Sequence, residues 1–96
     1  MRLTQEEQKL IKNAVNKYDN SAQVFLFGSR VHDDQRGGDI DLLCISDEID
    51  RLSRRNIRLD LLETLGEQKI DLIVRSTENA KEDAFVKSIF QNSVEL

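Results

Sequence analysis

No proline, internal repeat or low-complexity stretch interrupts the 96 residues, so nothing marks a linker and one domain is expected. A chain of this size buries only about 60–65% of its unfolded surface, enough for one modest core. A single cysteine, Cys44, excludes an internal disulfide and suits a reducing cytosol. One cysteine with one histidine leaves no ligand set for zinc. No apolar run approaches the roughly 18 residues of a membrane span, and the start MRLTQEEQKL is no secretory signal, so a cytoplasmic protein without membrane contact is expected. Basic excess is lacking too. The net charge of −4 offers no general attraction to nucleic acid or anionic lipid, so a phosphate-bearing ligand would need a metal, backbone amides or a local basic patch. What is present, 39% apolar and 33% charged residues, argues against disorder.

The chain is organised around residues 24–45, VFLFGSRVHDDQRGGDIDLLCI. An apolar strand of about 22–27 leads to a Gly28-Ser29 turn. A polar connection follows and closes on Gly37-Gly38. The second strand, about 39–46, opens with Asp39 and Asp41. It then turns apolar on both faces, which marks a central strand covered on both sides. Alternate side chains share a face, with Cα atoms ~6.6 Å apart, so the two carboxylates point the same way. Like charges at ~4 Å repel by about 4 kcal/mol at an effective dielectric of 20. The pair must therefore be solvated, partly protonated or neutralised by a cation. Mg²⁺, commonly held by one or two carboxylates plus phosphate oxygens, suits it.

Gly28 can adopt backbone angles closed to other residues and lets a ligand approach. Ser29 and Arg30 would open a short helical turn whose free amides cradle a phosphate. Taken alone, Gly28-Ser29 is explained as well by a plain turn. Arg30 and Arg36 are candidate triphosphate contacts, and His32 reads as a solvated loop residue.

Thr4 and Glu7 fit a capping box opening an amphipathic helix of about 5–18. Ser53 is the expected N-cap of a helix over about 54–65 that buries Ile57, Leu61, Leu62 and Leu65 and stops at Gly66. Arg51, Arg54, Arg55 and Arg58 form the basic concentration of the chain. They read either as a solvated face paired with Asp60 and Glu63 or as a contact for a polyanion or acidic partner. A third strand, about 69–75, again starts with an acid, Asp71. Asn79 and Glu82 suggest a second capping box opening a helix of about 80–91, with Phe85, Val86, Ile89 and Phe90 as its apolar stripe. The tail SVEL would add a short strand or fray.

For these acids to meet Gly28-Ser29, the first strand must end where the second and third begin. The first is then antiparallel to the second, and the second parallel to the third across a helical crossover. The fold class is α/β (α+β), a small mixed sheet flanked by helices. Two divalent ions about 3.5–4 Å apart can clamp the attacking and leaving oxygens of a displacement at phosphorus. Asp39 and Asp41 would hold the triphosphate's metal and share the second, and Asp71 would complete that second site. A solvated strand end remains the other account of Asp71.

Phe27-Gly28-Ser29, nine residues, then Asp39-Ile40-Asp41-Leu42 resembles the signature of the DNA polymerase beta-type nucleotidyltransferase superfamily, with Asp71 matching its third acid. Over residues 22–75, with GSRVHDDQRGGDIDLL and LGEQKIDLIV intact, the chain most resembles the minimal nucleotidyltransferases (MNT). The connection between Ser29 and Asp39 is one residue shorter than the form often quoted, and its two glycines would absorb the difference. The resemblance implies Asp39, Asp41 and Asp71 as catalytic and metal-binding residues, and Gly28, Ser29 and Arg30 as phosphate contacts. It further implies two Mg²⁺ ions (or Mn²⁺) and ATP as donor. MNT proteins are commonly encoded beside an all-helical HEPN protein as a toxin–antitoxin pair. The antitoxin transfers AMP to a tyrosine of the HEPN ribonuclease, so a HEPN partner and a homo- or hetero-oligomer are implied. A nucleotide-binding module that neutralises its partner by binding alone stays open, as does transfer to a small molecule or RNA.

Overall fold

The computed structural model describes residues 3–28, 39–66 and 69–96. Thr4 caps α1 (Gln5–Asn16) through the expected reciprocal box. The Thr4 amide donates to Glu7 Oε1 at 2.9 Å, and the Glu7 amide to Thr4 Oγ1 at 3.1 Å. β1 (Gln23–Phe27) and β2 (Ile40–Ile45) pair antiparallel, and β3 (Ile70–Arg75) runs parallel to β2. The C-terminal tail forms β4 (Val94–Glu95) against the far side of β1, giving the order β3-β2-β1-β4. This is the mixed sheet that the placement of the acids requires.

Period-two alternation divides the core between the two faces. Val24, Leu26, Ile40, Leu42, Cys44, Ile70 and Leu72 meet Ile11, Val15, Ile57 and Leu61 of α1 and α2. Phe25, Leu43 and Ile45 meet Ala80, Val86 and Ile89 on the other side. There Phe90 meets Phe25 edge-on, with ring centroids 4.8 Å apart. Cys44 is the small core residue its surroundings suggest, and burial, followed by the Asp19 charge, pushes its thiol up to about 12. Among the described residues no helix is long and apolar enough to cross a membrane.

Three helix boundaries differ from expectation because a stronger cap lies nearby. α2 spans Arg51–Leu65, with Asp50 rather than Ser53 as N-cap. The Ser53 amide donates to Asp50 Oδ1 at 2.7 Å, and a carboxylate at that position also complements the helix dipole. Gly66 ends the helix at φ +86°, as expected. The segment read as one helix from 80 to 91 is two, α3 (Thr77–Glu82) and α4 (Ala84–Gln91). Ser76 caps the first by accepting from the Asn79 amide, so Asn79 is no cap. Asp83 leaves helical geometry (ψ 117°), accepts from the Phe85 amide and starts the second. That break leaves Phe85 exposed while Val86 and Ile89 fill the core. α1 is also shorter than expected, with Lys17 as C-cap.

The arginines of α2 are placed otherwise than on its own acids. Asp60 instead pairs with Lys17 of α1 at 3.4 Å. The Arg58 Nε donates to the Ile70 carbonyl at 3.1 Å, and an Arg54 nitrogen to that of Leu72 at 3.4 Å. Arg75 donates to the Val74 carbonyl at 2.9 Å. Every second carbonyl along β3, an edge strand, is thereby covered by a guanidinium.

Candidate functional site

Asp41 and Asp71 are directly opposed across the parallel β2–β3 ladder, and Phe27 opposes Asp41 from β1. Partners in a parallel pair face the same side, and Asp39, two residues before Asp41, shares that face. The three aspartates therefore gather at one end of the sheet, beyond the apolar layer of Leu43, Ile45 and Ile73. One carboxylate oxygen from each lies within 4.8 Å of the others. At an effective dielectric of about 20, charges that close repel by about 3–4 kcal/mol per pair.

Among the described residues, the ion pair to this cluster runs from Lys69 Nζ to Asp39 Oδ2, at 3.5 Å with both side chains largely open to water. The Asp41 carboxyl is raised above its ordinary value, first by burial, then by the Asp71 charge, a hydrogen bond with Asp71 and the Asp39 charge; Lys69 pulls the other way. Three convergent carboxylate oxygens form a donor set suited to Mg²⁺ or Mn²⁺. Cys44 points to the opposite face and contributes nothing to the cluster.

Gly28 follows β1 with φ +77°, a region where only glycine is unstrained. A Cβ there would collide with Asp41 Oδ2. The residue is thus required both for its backbone angle and for the space it leaves beside the carboxylate. Ser29, Arg30, His32 and Arg36 lie outside the described residues.

A groove of about 990 Å³ begins at Asp41 and Asp71 and runs round the β3 edge to α2. Arg51, Arg54, Arg55 and Arg58 line it together with Leu52 and Ile73. The clustering of these arginines was legible in the sequence. That they share a wall with the acids was not, because it depends on α2 lying along the β3 edge.

A small mixed sheet with helices on both faces and a carboxylate-lined cleft at one end defines an α/β domain. The family model "Polymerase beta, Nucleotidyltransferase" matches residues 9–96, and the chain belongs to that family. No curated protein matches the sequence significantly. Among solved structures, the fold is similar to that of a protein assigned as a nucleotidyltransferase (TM-score 0.64, 23% identity, 93% of this chain and 96% of that one). It is also similar to a chain of the toxin–antitoxin MntA-HpeT, solved with two Asp-to-Glu substitutions (TM-score 0.65, 17% identity, 93% and 70%). A third likeness is to a chain of the Shewanella oneidensis complex of tri-AMPylated HEPN toxin with MNT antitoxin (TM-score 0.56, 19% identity, 92% and 70%). At these identities the likeness is one of fold.

Proposed function

We propose that this single domain is a metal-dependent nucleotidyltransferase that moves AMP from ATP onto a hydroxyl of a partner protein, as an antitoxin acting on a HEPN-type toxin in the cytoplasm. The observation that carries the reading is the convergence of Asp39, Asp41 and Asp71 oxygens within 4.8 Å in a chain of this family. Bound among them, divalent ions would neutralise the triphosphate and the charge that develops at phosphorus. Asp39 and Asp41 would hold the ion that accompanies the nucleotide and share a second with Asp71. Asp71 would stand where the acceptor hydroxyl gives up its proton. Gly28, Ser29 and Arg30 would hold the phosphates that leave as pyrophosphate. In the step itself, the acceptor oxygen bonds to the α-phosphorus as the bond to the leaving pyrophosphate breaks. The partner assignment is supported by fold likeness to chains from two toxin–antitoxin assemblies, one with an AMPylated HEPN toxin.

The test is incubation of the chain with ATP radiolabelled at the α-phosphate, Mg²⁺ and a helical HEPN-type protein. Label on the partner, lost with Asp39→Asn and Asp41→Asn, is the expected result. A tightly bound but unlabelled partner would overturn transfer and establish neutralisation by masking.

A further inference from the structure

We propose that the groove along α2 and the β3 edge docks an acidic protein segment that carries the acceptor hydroxyl. The docking surface stands on its own observations, and the hydroxyl's role rests on the transferase reading above.

Positions 51, 54, 55 and 58 follow helical spacing i, i+3, i+4 and i+7, so their side chains form one stripe. The stripe runs about 10 Å along α2, the length of roughly three extended residues. Two of its members are fixed in place without being neutralised. Arg58 is held through Nε and Arg54 through one terminal nitrogen, each to a carbonyl of β3. A guanidinium has five donors in a rigid fork, so most of each fork remains available for a carboxylate. Arg51 and Arg55 are exposed and make no ion pair among the described residues.

The orientation of the stripe matters as much as its charge. Arg58 lies beside Ile70, next to Asp71, and Arg54 one step further along the strand. A bound segment would therefore lead from the arginines towards the acid cluster. Leu52, 64% exposed, adds apolar surface to the groove wall, which suits a peptide better than a bare phosphate backbone.

The probe is a fluorescein-labelled peptide with one tyrosine flanked by glutamates and a leucine, followed by fluorescence anisotropy against the intact chain. It should bind, weaken as salt rises, and lose at least about tenfold in affinity with Arg51→Glu/Arg55→Glu. A Lys9→Glu/Lys12→Glu variant on α1 should retain it. Arg51→Gln/Arg55→Gln should show a smaller loss in the same direction, and covers the case in which the charge reversal fails to fold. Absence of binding, equal binding to the Arg51/Arg55 variants, an equal loss in the α1 variant, or tighter binding of a short single-stranded RNA would each overturn the proposal. Adding Mg²⁺ and ATP gives a separate readout. A peptide that docks on the arginines but is never labelled counts against the transferase reading and leaves the docking surface standing.

Discussion

Gly28 and Asp41 occupy space that they could not share if residue 28 had a side chain: Asp41 Oδ2 stands where the Cβ would be. Gly28→Ala must therefore strain a backbone at φ +77°, at about 1–2 kcal/mol, and also displace the carboxylate. The expected outcome is a lower denaturant midpoint together with Mn²⁺ affinity reduced about tenfold, read by electron paramagnetic resonance titration. Unchanged Mn²⁺ affinity in a folded variant would show that Asp41 does not need this place to bind metal.

Asp41 makes the second prediction, through the sign of its shift. Its folded pKa is raised above 3.8, mainly by burial and by Asp71, so the folded chain binds this proton more tightly than the unfolded chain. The associated stability is full at low pH and is lost as pH rises from 3.8 through the raised value. Without metal, Asp41→Asn should accordingly raise the melting temperature at neutral pH, modestly, because water screens a carboxylate this exposed. Saturating Mn²⁺ should stabilise the parent chain and leave the variant nearly unmoved, in differential scanning fluorimetry with and without chelator.

The cap of α2 titrates in the opposite sense. Donation from the Ser53 amide, then from its side chain, lowers the Asp50 pKa below 3.8. Its contribution is present above 3.8 and disappears as pH falls through the lowered value. Asp50→Ala should reduce the melting temperature at pH 7 and more weakly at pH 3. Asp50→Asn, which still accepts a hydrogen bond, should flatten that pH dependence.

Cys44 should be chemically silent. With its thiol pushed up to about 12 by burial, almost no thiolate exists at pH 8. Labelling by Ellman's reagent should follow global unfolding, with the rate rising in step with denaturant. Rapid labelling in native buffer would show that β2 opens locally.

Period-two and helical patterns made the sheet, the two-faced core and the three acids legible, because each depends on spacing along one short stretch. Asp71 could be aligned with Asp41 from sequence because both sit at the start of apolar strands that a helix connects. Choices between neighbouring caps were harder. Asp50 competes with Ser53, and Ser76 and Asp83 compete with Asn79, each pair separated by a few residues and decided by packing elsewhere. Bonds between distant segments left no local trace. Ser46 Oγ donates to Asp19 Oδ2 at 2.6 Å, and the Thr77 amide donates to Asp47 Oδ1 at 2.9 Å. A backbone carbonyl is available at every residue, so nothing in the order of amino acids showed that Arg54 and Arg58 would choose those of β3.

The guanidinium-covered margin of β3 also governs how this molecule can meet others. Arg58, Arg54 and Arg75 occupy the acceptors an arriving strand would need, so a neighbour cannot zip onto that side. Association along that margin must proceed through side chains.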